Sequence, residues 1–164
     1  MGLIGEIFSS RPTLANVTFS PPDEGPRDLK LNWEGLLPIS GKVIVIEDDP
    51  TLRLLMVDIL QEIGAQSSAF ETADDALTYL LEAHTACPLV VVDHALPGQI
   101  QGAEFIEMVK GKWPTTGSIL ISGYLLEPAT VPHGTKYLQK PWTLDDFVVT
   151  VAEILQPGYP LRRN

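Results

Sequence analysis

Acidic side chains follow two strongly apolar runs of this sequence. Glu47 and Asp48 come directly after residues 43–46, and Asp93 follows residues 89–92. Short apolar runs rich in β-branched residues predict strands that are buried on both faces of a parallel sheet. Open parallel α/β sheets carry their ligand crevice outside the carboxyl ends of the strands. The spacing therefore predicts that these carboxyl groups meet at one edge, although Asp93 alone would more simply cap a turn.

Two further polar groups end predicted strands in the same way. Ser122 follows the apolar run 119–121, and Lys140 follows residues 137–139. Three clustered carboxylates repel one another, so a divalent cation with oxygen ligands is the simplest way to keep them ionised, and Mg²⁺ suits such a site. Lys140 and Ser122 would then hold phosphoryl oxygens, and Asp93 would be the nucleophile that forms an aspartyl phosphate.

The elements that must position these groups alternate regularly from Lys42 onward. The apolar runs predict five strands, and helical periodicity with capping residues predicts helices over residues 50–63, 73–81, 103–110 and 144–155. The fourth of the five expected helices is predicted to be short or irregular, because Pro128, Pro132 and Gly134 interrupt it. This alternation predicts a doubly wound α/β fold, in which helices cover both faces of a five-stranded parallel sheet.

Residues 1–41 differ from the rest of the chain and are predicted to be an N-terminal extension. Five prolines interrupt this stretch, and residues 17–19 and 29–33 alternate apolar and polar side chains around a turn-rich segment, which predicts a β-hairpin. The extension is also a candidate for a homodimer contact. The α/β domain is predicted over residues 42–157, followed by a C-terminal tail at 158–164.

Composition excludes several classes of protein. The formal net charge of −10 argues against nucleic-acid binding, because duplex affinity comes largely from Lys and Arg on phosphates. The sequence has no apolar run of spanning length and no basic, apolar secretory signal, so membrane insertion is not expected. The lone Cys87 excludes an internal disulfide, and this fits the reducing cytoplasm, where we predict the protein to be.

In their order and spacing, four motifs of residues 42–155 resemble the receiver domain of two-component response regulators. The motifs are Val45-Ile46-Glu47-Asp48-Asp49, Val91-Val92-Asp93 with Pro97 four residues on, Ser122-Gly123-Tyr124, and Tyr137-Leu138-Gln139-Lys140-Pro141. The resemblance implies a flavodoxin-like strand order of 2-1-3-4-5. It also implies that a histidine kinase or histidine phosphotransfer protein phosphorylates Asp93 in a Mg²⁺-dependent reaction.

The resemblance assigns further roles to residues of this chain. Mg²⁺, for which Mn²⁺ could substitute, would be bound by Asp48, Asp93, the Ala95 carbonyl and, through water, Glu47. Asp93, Lys140 and Ser122 would carry out the phosphoryl chemistry. Ser122 and Tyr137 would form a switch in which Ser122 moves toward the phosphoryl group and Tyr137 turns inward.

The predicted function is a single-domain response regulator that switches protein–protein interactions and catalyses only its own phosphorylation and dephosphorylation. One alternative is the terminal receiver of a hybrid histidine kinase, because the predicted hairpin and residues 35–38 resemble the last strands of a kinase ATPase domain. Another is a pseudo-receiver that docks without phosphate. A haloacid-dehalogenase-type phosphatase is disfavoured, because that family needs a second acid where this chain has Ala95.

Two features depart from the usual receiver pattern. The segment between Ser122 and Lys140 is short and proline-rich, which argues against the family's common dimer and output surface on the fourth helix. Tyr124 is bulky for a position that overhangs the phosphoryl site. We hypothesise that Tyr124, with Ala95, slows the attack of water and lengthens the lifetime of the phosphoryl group.

Overall fold

A computed structural model of the chain describes residues 33 to 163 and contains a five-stranded parallel sheet. The strand order is β2-β1-β3-β4-β5, and every neighbouring pair is parallel. This order confirms the predicted 2-1-3-4-5 topology. The strands are β1 (Lys42–Ile46), β2 (Gln66–Phe70), β3 (Leu89–Asp93), β4 (Gly117–Ser122) and β5 (Lys136–Gln139).

Within residues 33–163, four α-helices cover the two faces of the sheet, as predicted. They are α1 (Pro50–Glu62), α2 (Ala73–Glu82), α3 (Gly102–Lys112) and α4 (Leu144–Leu155). Successive side chains of a strand point to opposite faces. Val43 and Val45 of β1 therefore pack in the core shared with α1 and α4, and Ile44 and Ile46 pack in the core shared with α2 and α3. Both cores are closed, so the strands can be apolar on both sides.

The crossover from β4 to β5 lacks a full α-helix, as its prolines predict. Between these strands the structure has only a 3-10 helix, Pro128–Thr130, which begins at a proline. A proline in a helix interior removes one backbone hydrogen bond and clashes with the preceding turn, at about 3 kcal/mol. The side chain of Thr135, at the end of the crossover, forms a hydrogen bond of 2.8 Å with that of Ser118 near the start of β4.

Side chains at the sheet edge also begin the helices. The Asp49 carboxylate accepts hydrogen bonds from the backbone N–H of Thr51 (2.9 Å) and Leu52 (3.2 Å), and Pro50 occupies the first turn of α1. Such a cap satisfies N–H groups that lack a partner within the helix. Thr72 caps α2 and Thr143 caps α4 through the backbone N–H three residues on, as their spacing predicts.

The first and last described residues lie side by side. Trp33–Glu34 and Arg162–Arg163 form a short antiparallel pair outside the central sheet. The predicted hairpin of residues 17–19 and 29–33 falls outside the described residues except for Trp33, whose partner here is Arg163. The proposed homodimer contact of the extension also falls largely outside them.

None of the helices between residues 33 and 163 has the length and apolar character needed to cross a bilayer.

Candidate functional site

The carboxyl ends of the strands bring the predicted polar groups to one edge. Asp93 is the last residue of β3 and Ser122 is the last residue of β4, while Glu47 follows β1 and Lys140 follows β5. Because the sheet is parallel, all of these groups emerge on the same side. Glu47 is only 1% exposed and Asp93 only 7%, whereas the neighbouring Asp48 is open to solvent.

Charged groups from three strands meet within contact distance. The Nζ atom of Lys140 lies 3.2 Å from Oε1 of Glu47 and 3.4 Å from Oδ1 of Asp93. Glu47, Asp48 and Asp93 each offer one carboxylate oxygen, and these three oxygens lie within 4.8 Å of one another. One ammonium group therefore contacts two of three clustered carboxyl groups, and the cluster has an excess of negative charge when all are ionised.

Burial and repulsion raise the pKa of both buried acids. Burial, followed by the nearby charge of Asp93, raises the pKa of Glu47 from 4.5 to about 8, although Lys140 acts in the opposite direction. Burial also raises the pKa of Asp93, with Lys140 again opposing the shift. Burial lowers the pKa of Lys140, but the charges of Glu47 and Asp93 outweigh this effect, and the net shift is upward.

The donor set of this cluster fits a hard divalent cation. Oε1 of Glu47 is fully buried and, within the described part of the chain, accepts no hydrogen bond of good geometry, although Lys140 lies 3.2 Å away. A buried oxygen without a hydrogen-bond donor is unusual in a native protein and often indicates a missing ion or water. Carboxylate oxygens are the ligands that Mg²⁺ prefers. The residues present therefore fit such an ion.

The loop between β1 and α1 is held by a residue that the sequence did not single out. Nη1 of Arg53 donates hydrogen bonds to the backbone carbonyls of Glu47 (2.7 Å) and Asp48 (3.4 Å). The backbone N–H of Asp49 donates to Oε2 of Glu47 at 3.1 Å. These contacts fix the direction in which the two acids leave β1.

The loop between β3 and α3 is also closed by side chains. The Gln101 amide accepts from the backbone N–H of Leu96 (3.1 Å) and donates to its carbonyl (2.8 Å). Gly102 packs so closely that a Cβ there would lie 2.2 Å from the carbonyl oxygen of Asp93. Ala95, the predicted carbonyl ligand, lies in this loop and is exposed.

The two predicted switch residues share one hydrogen-bond acceptor. Ser122 Oγ donates to the carbonyl of Tyr124 at 2.7 Å, and Tyr137 Oη donates to the same carbonyl at 2.8 Å. Ser122 thus stands at the predicted edge, but its hydroxyl is bound to its own loop rather than to the acidic cluster. The rings of Tyr124 and His94 meet edge-on with centroids 6.0 Å apart, beside the phosphoacceptor candidate Asp93.

Comparisons with known proteins agree with this geometry. A sequence model described as the response regulator receiver domain matches residues 43–152. The hydrogenase transcriptional regulatory protein HoxA of Cupriavidus necator is 29% identical over 119 residues, covering 70% of this chain and 24% of HoxA. The nitrogen assimilation regulatory protein NtrX of Azorhizobium caulinodans is 25% identical over 119 residues, covering 70% of this chain and 26% of NtrX. The chain thus spans about a quarter of the length of these curated relatives.

Solved structures of receiver domains share the fold. The BeF3-activated DrrB receiver domain is 28% identical with a TM-score of 0.61, covering 72% of this chain and 99% of that one. The receiver domain of NtrX from Brucella abortus is 23% identical with a TM-score of 0.64, covering 71% and 99%. At that identity the second likeness is evidence of the fold alone. With the family match over residues 43–152, the chain belongs to the response regulator receiver domain family, the signalling domains of two-component systems that work with histidine kinases.

Proposed function

We propose that this chain accepts a phosphoryl group on Asp93 from a histidine kinase or a histidine phosphotransfer protein. One observation carries the proposal: a buried carboxylate at a strand end, 3.4 Å from Lys140 and beside two further acids. Nucleophilic catalysis of this kind needs an ionised carboxylate held in a site that stabilises charge on the transferred group. The receiver domain proposed for residues 42–157 supplies both.

The proposed transfer uses groups that the cluster holds at fixed positions. A carboxylate oxygen of Asp93 attacks phosphorus, the bond between phosphorus and the donor imidazole breaks, and the imidazole leaves with the electron pair and takes up a proton. Lys140 contacts Oδ1 of Asp93 at 3.4 Å and so lies beside the attacking carboxylate. The ammonium group of Lys140 stabilises negative charge on the phosphoryl oxygens. The product is an acyl phosphate on Asp93.

The acidic residues would hold the cation that this chemistry requires. Asp48 and Asp93, with the Ala95 carbonyl, would bind Mg²⁺ directly, and Glu47 would act through a water molecule. Mn²⁺ would substitute, because both ions accept oxygen ligands. When bound, the cation neutralises charge on the phosphoryl oxygens.

Ser122 and Tyr137 are proposed to convert phosphorylation into a change of surface. For Ser122 to bind a phosphoryl oxygen, its hydroxyl must release the carbonyl of Tyr124, which also accepts the Tyr137 hydroxyl. Both hydroxyls donate to this one carbonyl oxygen, so moving one of them changes the environment of the other. The altered surface around β4 and β5 would change which proteins bind. A partner protein, rather than nucleic acid, fits the net charge of −10.

Mass spectrometry of the intact protein tests the proposal. After incubation with Mg²⁺ and acetyl phosphate, the wild-type chain should gain one phosphoryl group, and Asp93→Asn should gain none. Asp75→Asn, which changes an exposed carboxylate in the same way, should be phosphorylated like the wild type. Phosphorylation of the Asp93→Asn protein would contradict the assignment, and a wild-type chain that is never modified would favour the docking module.

We also propose that the receiver acts as a single-domain regulator in the cytoplasm. The alternative, a receiver within a longer protein such as a hybrid histidine kinase, is favoured by the length of the curated relatives, of which the chain spans about a quarter. An immunoblot of fractionated native cells distinguishes the two. A cytoplasmic band near 17.9 kDa would support the single-domain regulator, whereas a much larger band would establish the longer protein.

A further inference from the structure

The loop between β3 and α3 is tied to a neighbouring helix by one carboxylate. Oδ1 of Asp74, the second residue of α2, accepts hydrogen bonds from the backbone N–H of Gln99 (3.1 Å) and Ile100 (3.2 Å), and Oδ2 lies 3.3 Å from the N–H of Gln99. Hydrogen bonds in which the acceptor is ionised are shorter and roughly twice as strong as neutral ones. Asp74 therefore anchors the outer half of this loop to α2.

The loop backbone is shaped for this contact. Gly98 has a φ of +95°, a left-handed conformation that glycine adopts without strain. A Cβ at Gly98 would lie 2.6 Å from Oδ1 of Asp74, closer than real Cβ atoms approach an oxygen. Glycine at this position is thus required twice, once by the backbone angle and once by the carboxylate that sits against it.

The inner half of the same loop is held by Gln101, whose amide forms two hydrogen bonds with the backbone of Leu96. Leu96 is 7% exposed and packs in the core shared with α2 and α3. Only His94 and Ala95 separate this fixed point from Asp93. The loop is thus held at two places, by Leu96 and Gln101 near Asp93 and by Asp74 at its outer half.

We propose that Asp74 is a positioning residue of the phosphoacceptor site. By fixing the outer half of the loop to α2, it would help to hold the Ala95 carbonyl where this group could bind a cation together with Asp48 and Asp93. This inference rests on the proposed function, because it assumes that the acidic cluster and the Ala95 carbonyl bind Mg²⁺. Residues that orient metal ligands from outside typically change metal affinity 10- to 100-fold when they are replaced.

Two measurements on the full chain test the role of Asp74. In calorimetric titrations with Mg²⁺, without phosphodonor, Asp74→Ala should bind about tenfold more weakly than the wild type. Asp74→Asn, which keeps one acceptor oxygen, should lie between them. In Mg²⁺-free protein, hydrogen exchange of the Gln99 and Ile100 amides should be faster in Asp74→Ala, because their acceptor is gone. The matched control Asp75→Asn removes the same charge one residue further along α2 and should leave both measurements unchanged.

A glycine pair repeats the test without altering any charge. Gly98→Ala should weaken Mg²⁺ binding as Asp74→Ala does, because its Cβ displaces the carboxylate. Gly64→Ala is the control, since Gly64 has a similar left-handed φ of +90° but a Cβ there would meet no atom of the described chain within 4 Å. Wild-type affinity in both Asp74→Ala and Gly98→Ala, or equal weakening by Asp75→Asn, overturns the inference alone. Absence of Mg²⁺ binding by the wild type, or full affinity in a variant lacking both Asp48 and Asp93, overturns the proposed function and the inference together.

Discussion

The buried polar groups at the two edges of the central sheet differ in how well their hydrogen-bonding capacity is satisfied. At the carboxyl edge, Oε1 of Glu47 is buried beside other acids and, among residues 33–163, accepts no hydrogen bond of good geometry. At the amino edge, where α4 ends, the buried Gln156 amide accepts from the N–H of Leu37 at 3.0 Å and donates to the carbonyls of Gly35 and Tyr159, both at 2.8 Å. The first group is ionisable and lacks a well-formed hydrogen bond, and the second is neutral and well paired.

This difference indicates what each edge is for. A satisfied neutral amide stabilises the fold, and here it fastens the segment before β1 and the segment after α4 to the same helix end. A crowded, poorly paired set of carboxyl groups costs stability, and native proteins keep such groups mainly where chemistry or ion binding needs them. Substitutions at the carboxyl edge should therefore impair phosphorylation, whereas substitutions at the amino edge should lower stability and leave phosphorylation unchanged.

The largest expected effect is the loss of phosphorylation when Lys140 is replaced. Lys140→Met removes the cation that contacts Glu47 and Asp93, and the rate of phosphorylation by acetyl phosphate should fall at least 100-fold, because charge on the transferred group loses its partner. Lys136→Met, which removes a surface ion pair with Glu153, is the control and should keep its rate. Normal phosphorylation of the Lys140→Met protein would show that the charged groups of the carboxyl edge are not needed for the chemistry.

Stability at the carboxyl edge should depend on pH in an unusual direction. The folded chain raises the pKa of Glu47 from 4.5 to about 8, so it binds a proton more tightly than the unfolded chain between these values. The free energy of unfolding of Mg²⁺-free protein should therefore fall as pH rises from about 4.5 to about 8, by on the order of a few kcal/mol. The raised pKa of Asp93 acts in the same direction from 3.8 upward.

Urea unfolding at several pH values measures this slope. Glu47→Gln should remove most of it and should make the Mg²⁺-free protein more stable near pH 8, because the repulsion disappears. Added Mg²⁺ binds the ionised carboxylates and should also flatten the slope in the wild type. A free energy of unfolding that rises from pH 5 to pH 8 without Mg²⁺ would show that repulsion does not dominate this edge.

Replacing the amide at the amino edge should lower stability without affecting the chemistry. Gln156→Ala leaves the N–H of Leu37 and the carbonyls of Gly35 and Tyr159 without their partner, so the free energy of unfolding should fall by about 2 kcal/mol. Phosphorylation of the folded protein should be unchanged. Gln61→Ala, at an exposed position of α1, should change stability by less than about 0.5 kcal/mol. Equal losses of stability in Gln156→Ala and Gln61→Ala would show that the hydrogen bonds of Gln156 do not stabilise the amino edge.

The smallest expected effect concerns the lifetime of the phosphoryl group. Tyr124 is 58% exposed and meets the ring of His94 edge-on beside Asp93, so it can shield the acyl phosphate from water. Tyr124→Ala should speed dephosphorylation by about fivefold, roughly 1 kcal/mol of barrier, as followed by loss of the phosphorylated mass over time. The control Tyr159→Ala, at another exposed tyrosine, should leave the rate of dephosphorylation unchanged. An unchanged rate in Tyr124→Ala would exclude a shielding role for Tyr124.

The sequence predicted the fold and the acidic cluster because both follow from local patterns. Apolar runs of four residues identify β1 and β3, and an acid at the end of such a run must lie at the carboxyl edge of a parallel sheet. The prolines between β4 and β5 likewise predicted the missing helix. The start of α3 was predicted one residue late, because the capping box of Gln101 and Glu104 was not recognised.

The supporting contacts could not be predicted, because they join residues far apart in the chain. Asp74 and Gln99 are 25 positions apart, and Gln156 lies 119 positions from Leu37. In the sequence, Asp74 has the pattern of an ordinary acid in the first turn of a helix, and Gln156 that of a residue ending one. Each forms hydrogen bonds with the backbone of a distant segment, and the local sequence pattern does not reveal such contacts. The pairing of Trp33 with Arg163 likewise joins the two ends of the described chain.

The antiparallel pairing of Trp33 with Arg163 has a practical consequence for anyone who engineers this protein. A fluorescent label attached at Glu34 or Arg162, which belong to the same pairing, lies on the side of the sheet where Gln156 binds Gly35 and Leu37. This side is about one strand length, ~17 Å, from the aspartate, so such a label leaves the approach of a phosphodonor open. Two dyes attached at these two positions would also stay close together for as long as this pairing lasts, and their energy transfer would report when it opens.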